Sequence, residues 1–178
     1  MYDMRRRLLQ GGAASLLSRL SITAIPASLL TTTAVAGDSM TARPPDDVFT
    51  SEGFQPGLLL HVVLFKYKPE VTMEQKREVQ RRFLALRESK RSGAGAPYIL
   101  SITSGYQSSM EGVGLGFEQG FTVAFKSAGD RNYYVGKPIV NDPAHFDPHH
   151  DAFKAFVGPL LAPQGGVLVF DYPVDAPA

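Results

Sequence analysis

Three of the four histidines of this 178-residue chain fall in one short stretch, His145-Phe146-Asp147-Pro148-His149-His150-Asp151. Imidazole and carboxylate side chains at this density are the material of transition-metal sites. The spacing argues against that use. Asp147 followed by Pro148 has the form of a helix N-cap with proline at the first helical position. Asp151 suits the positive end of the same helix. His149 and His150 are adjacent, so they leave a helix on different sides, and the pair four residues apart that grips zinc is missing. No metal and no cofactor are expected. His145 is the best acid/base candidate. Imidazole titrates near neutrality, so it can take a proton from an activated carbon and return it to an oxygen. A nearby tyrosine hydroxyl could steady the developing enolate. A structural role competes with this reading: His145 could cap the helix or bond to a loop carbonyl. His61, the fourth histidine, stands in an apolar run. It either lines a pocket or packs with one ring nitrogen satisfied.

Other chemistry is excluded or weak. Cysteine is absent, which removes disulfides, thiolate catalysis and Cys-zinc sites. Gly112-Val113-Gly114-Leu115-Gly116 precedes a strand pattern rather than a helix, so no helix N-terminus can meet a phosphate there. No nucleophile elbow of the Gly-x-Ser-x-Gly type is present.

The elements that must position these residues are legible from periodicity. Leu58 to Tyr67 is apolar, rich in strand formers and ends at Lys68-Pro69. A period of two puts His61 on the face of Val63, Phe65 and Tyr67. Thr72 and Gln75 form a capping box, followed by a stripe of Val79, Phe83 and Leu86 with Leu84 beside it. Tyr98 to Tyr106 is a second strand, with Tyr98, Leu100 and Ile102 on one side. Phe117 to Phe125 is a third, joined to the second by a glycine-bearing hairpin over Ser108 to Gly116. A short helix is expected within Ser127 to Val135, and the Asp147-capped helix runs to about Val157. Val167 to Tyr172 is the last strand. The order β-α-β-β-α-β is the split βαβ, ferredoxin-like α+β arrangement with a four-stranded antiparallel sheet. Strands apolar on both sides leave one sheet face bare, and a homodimer with two sheets face to face is the simplest cover.

The first 36 residues read differently. Arg5-Arg6-Arg7-Leu8-Leu9-Gln10 opens a mildly apolar run that closes on Ala34-Val35-Ala36, the pattern of an export signal cleaved after Ala36. It resembles the twin-arginine type. Arg19 and Pro26 interrupt the run, which disfavours a membrane span. The expectation is a periplasmic or secreted protein. The chain holds 18 basic and 17 acidic residues, of which four Arg and one Asp lie in this segment, so its net charge of +1 becomes −2 after cleavage. Nucleic-acid binding is therefore not expected. Residues 37–57 read as a flexible lead-in, residues 58–173 as the domain and residues 174–178 as a tail.

Taken together, His61-Val62-Val63-Leu64-Phe65-Lys66-Tyr67-Lys68, Tyr133-Tyr134, Pro143-Ala144-His145 and Leu168-Val169-Phe170-Asp171-Tyr172 resemble the stress-responsive A/B barrel (Dabb) family over about residues 58–173. The resemblance implies a dimeric α+β barrel of ferredoxin-like subunits. Many members have no known reaction. One plant member closes a linear polyketide by aldol condensation without metal or organic cofactor. Its catalytic histidine ends a His-Pro-Ala-His motif and is helped by a tyrosine shortly before it. The resemblance carries that histidine to His145 and the tyrosine to Tyr134, with Tyr133 the alternative, and places His61 and Tyr133 at the pocket. Asp142 replaces the first histidine of the motif, and the stretch from Gly136 to Asn141 is longer. The favoured reading is an exported dimeric barrel of unassigned activity that binds a small apolar molecule. A cofactor-free lyase or polyketide-cyclase-like enzyme with His145 as general base is the alternative, and metal binding near His149 a second.

Overall fold

A computed structural model describes residues 42–175. The expected export signal and the end of the tail lie outside the described residues. Among those described, no helix is long and apolar enough to cross a membrane.

A helical turn, α1 (Asp46–Phe49), precedes β1 (Pro56–Phe65), α2 (Met73–Ala85), β2 (Ile99–Tyr106), β3 (Gln119–Ser127), α3 (Ala128–Val135), α4 (Pro148–Val157) and β4 (Val167–Pro173). The four strands form one antiparallel sheet in the order β2-β3-β1-β4. This is the ferredoxin-like arrangement that the order of apolar periodicities predicts.

Local chemistry sets the helix ends. The Thr72 hydroxyl accepts from the Gln75 amide while the Gln75 side chain accepts from the Thr72 amide, a complete capping box. Asp147 accepts from the His149 amide at 2.8 Å and Pro148 takes the first helical position of α4. Ser127 caps α3 through the Asp130 amide at 3.0 Å.

The helices bury one sheet face. Val79 and Phe83 of α2 meet Phe65 of β1, Phe121 of β3 and Phe153 of α4. Phe83 stacks on Phe121 with centroids 4.0 Å apart. Each of these side chains contributes roughly 1.5–3 kcal/mol by leaving water. The other face is bare and apolar toward β4, where Phe170 is 60% exposed.

One expectation needs correction. Leu100 does not share a side with Tyr98 and Ile102. The β2–β3 register slips between Ile99 and Ser101, and this bulge turns Leu100 outward, 54% exposed. Part of the stretch read as a flexible lead-in is built into the fold. The carbonyls of Gln55 and Phe54 accept from the Ala128 and Gly129 amides at 3.0 Å each, which satisfies the open N-terminus of α3.

Candidate functional site

Alternation along β1 sends Leu59, His61, Val63 and Phe65 toward the helices, and all four are buried. Antiparallel pairing with β4 sets His61 directly opposite Asp171, Val63 opposite Val169 and Phe65 opposite Val167. A histidine and an aspartate thus share the inner face of an otherwise apolar strand pair. The His61 Nδ1 lies 2.6 Å from Asp171 Oδ1. From α3, Arg131 donates to Asp171 Oδ2 through a terminal guanidinium nitrogen.

These groups line a cavity of about 470 Å³ between the sheet and α3 and α4, with apolar walls that include Val63, Phe65, Ile139, Phe153 and Val157. β4 is an edge strand, and its inward Val167 and Val169 remain about half exposed. The helices therefore leave the cavity uncovered on that side. His150 of α4 also lines it. The His150 Nδ1 donates to the Tyr134 carbonyl at 2.6 Å, and its ring stacks on Tyr134 at 3.8 Å. Lys154 at the rim donates to the carbonyls of Val135 at 3.0 Å and Lys137 at 2.9 Å.

Charge in the cavity is set by these contacts. Burial pushes the Asp171 carboxyl up, but the hydrogen bonds and charges of His61 and Arg131 outweigh it and hold Asp171 below the usual carboxylate range. Burial pushes His150 down to about 3, against the pull of its bond to the Tyr134 carbonyl, and Lys154 and His61 push the same way as burial. His150 is a neutral ring at physiological pH. The Asp171 carboxylate can only accept, so His61 Nδ1–H donates to it, and Nε2 is the ring nitrogen left over. His150, with Nδ1–H given to a carbonyl, likewise keeps Nε2 as an acceptor.

Of the residues expected at the site, His61 lines the cavity, and His145, Tyr134 and Tyr133 do not. His145 ends a 3-10 turn, Pro143–His145, ahead of α4. Its side chain is 32% exposed, with Nε2 4.0 Å from Asp142 Oδ2. Tyr134 is fully buried, packed against His150, His61 and Phe125, and its hydroxyl has no hydrogen-bond partner among the described residues. Burial and the nearby Asp147 charge push that phenol well up. Tyr133 lies edge-on to Tyr98 and under the Arg91 guanidinium. The fold therefore does not join His145 and Tyr134 at the cavity. The turn before α4 keeps His145 outside, and the side chain that reaches inward comes from His150, one helical turn later. Asp171, Arg131 and His150 escaped the reading of the sequence as site residues. The available signal was Asp171 itself, an acid at the inward parity of an apolar strand. Among the described residues no group of three or more His, Asp or Glu side chains is gathered around a point where a metal could sit.

A family model described as the stress responsive A/B barrel domain matches residues 59–174. A hydroxynitrile lyase from Passiflora edulis is 17% identical, with a TM-score of 0.51 over 69% of this chain and 98% of its own. A protein from Arabidopsis thaliana is 24% identical, with a TM-score of 0.50 over 67% of this chain and 98% of its own. A dimeric ferredoxin-like protein of unknown function from Jannaschia is 21% identical, with a TM-score of 0.49 over 66% of this chain and all of its own. At these identities the likenesses to the Passiflora and Arabidopsis proteins establish the fold and not the reaction. No curated protein sequence matches the chain.

Proposed function

The chain belongs to the stress-responsive A/B barrel family, and from that premise we propose that its domain binds a small, mainly apolar molecule beneath α3 and α4 and moves a proton on it through His61. One observation carries this reading: His61, hydrogen-bonded through Nδ1 to Asp171, lines an apolar cavity. A base there meets an activated C–H or O–H held against apolar walls. His150 supplies a second, permanently neutral acceptor, and the rim cations Arg131 and Lys154 favour a ligand with a partly negative head. A neutral ketone whose C–H becomes acidic beside its carbonyl has this chemistry. The test is a titration of the full chain with small aromatic and aliphatic ketones, read from the histidine ring resonances. The expected result is that His61 and His150 move while His145 and His149 stay. Movement of His145 alone would return the base to the outer turn.

The bare sheet face supports a second part of the proposal, a homodimer. Leu168, Phe170 and Tyr172 project outward from β4 beside Leu60, Val62 and Leu64 of β1. An apolar patch of this kind is costly to leave in water. Sedimentation should report a dimer for the native chain and a monomer for Phe170→Asp; a native monomer would remove this part. Export is likewise proposed, on Arg5-Arg6 and Ala34-Val35-Ala36. N-terminal sequencing of the protein from its host should begin at Gly37, and an intact Met1 in the cytoplasm would contradict it.

A further inference from the structure

The segment before β1 lies outside the residues the family model matches, which begin at 59, yet it is joined by hydrogen bonds to the cavity. Besides the two bonds that close the N-terminus of α3, the Phe49 carbonyl accepts from Asn132 Nδ2 at 2.8 Å. The other end of the same amide, Oδ1, accepts from Arg131 Nε at 2.9 Å. Arg131 in turn holds Asp171, and Asp171 holds His61. The chain of contacts runs from Phe49 through Asn132, Arg131 and Asp171 to His61 without a gap.

We infer that Asn132 is a positioning residue, which transmits the placement of the Phe49 carbonyl to the Arg131 guanidinium and so to the Asp171–His61 pair. The chemistry fixes its direction. A carbonyl can only accept and a guanidinium can only donate, so one orientation of the amide serves both. Asn132 is fully buried. Arg131 is a long, partly exposed side chain with many rotamers. Anchored at Nε by Asn132 and at a terminal nitrogen by Asp171, its fork has one position. Aspartate at 132 would keep the arginine and repel the carbonyl, and leucine of similar size would lose both. The segment also cannot shift freely, because a Cβ on Gly129 would stand 1.8 Å from the Ser51 carbonyl oxygen.

This inference rests on His61–Asp171 as the working pair, but its test does not require a ligand. The readout is the titration of the Asp171 carboxyl in the full chain, followed by carbon-13 resonance. His61 from β1 and Arg131 from α3 contact Asp171, and the other ionisable groups lining the same cavity are Lys137 after α3 and His150 and Lys154 from α4. With Asn132→Leu, a loosened Arg131 stabilises the carboxylate less, and the Asp171 midpoint should rise toward the ordinary range by about half a unit, a roughly threefold change in proton affinity. Arg131→Gln should raise it at least as far, and Asn132→Leu should add nothing in that background. Asn132→Ala, which removes the same amide without adding bulk, should raise it in the same sense and decides the matter if Asn132→Leu does not fold. A lowered melting temperature with an unmoved Asp171 midpoint would overturn the inference, as would an undiminished Asn132→Leu shift in the Arg131→Gln background. Ketones that fail to bind while the Asp171 shift is present would sink the functional reading and leave the relay standing.

Discussion

The four histidines divide into two pairs, and the division does not follow the sequence. His149 and His150 are neighbours in the chain, yet His149 is solvent-exposed and His150 is buried in the cavity wall. His61 and His150 are 89 positions apart, yet both line one cavity. The outer pair, His145 and His149, lies beside nearby carboxylates, His145 Nε2 4.0 Å from Asp142 and His149 Nδ1 3.4 Å from Asp147. The inner pair has its Nδ1 atoms fixed by a carboxylate and a carbonyl. A local cluster of ligand-type side chains thus reported a helix N-terminus, while the chemistry was assembled by register. Position on an alternating strand or a helix face decided which imidazole lines the apolar cavity.

The sharpest way to break this contrast is to remove the carboxylate on which the inner pair depends. Asp171→Asn leaves Arg131 and His61 without their anion, and urea unfolding should show a loss of about 2–3 kcal/mol, as for a lost charge-assisted hydrogen-bond pair. A loss below about 0.5 kcal/mol would mean that the pair is not coupled. Acid sharpens it next. The folded His150 resists protonation down to about 3, whereas an unfolded histidine binds a proton near 6.5. The unfolded state therefore holds more protons between those values, and stability falls as pH drops through this window by up to about 1.4 kcal/mol per unit. At pH 5 the loss should approach roughly 2 kcal/mol, and His150→Phe should remove that part of the slope. Asp171 has a depressed folded value, so its contribution is present above the unfolded carboxylate range and disappears only as pH falls below about 4. The smallest effects belong to the outer pair. His145→Ala and His149→Ala should each change stability by no more than about 0.5 kcal/mol and leave ketone binding unchanged. An effect as large as that of Asp171→Asn would erase the distinction.

Much of the fold was legible. Alternation in Leu58 to Tyr67, the Thr72–Gln75 capping box and the Asp147-Pro148 start all report short-range physics, and the structure builds each of them. The bulge at Leu100 was not legible, because a register slip depends on the partner strand. The site was legible only at His61. Asp171 becomes its partner through pairing across 110 residues of sequence separation, which no local period encodes. His150 was visible as a histidine but not as an inward one, because its bond to the Tyr134 carbonyl depends on how α3 and α4 pack. The docking of Phe49 on Asn132 was hidden for the same reason: a backbone carbonyl carries no mark in a sequence.

The central claim is that His61 donates its Nδ1–H to Asp171 and keeps Nε2 unprotonated. Nitrogen-15 resonances of the His61 ring at pH 8 test it directly. A protonated Nδ1 and an unprotonated Nε2, with the preference lost in Asp171→Asn, is the predicted result. A ring protonated on Nε2 in the native chain would contradict it.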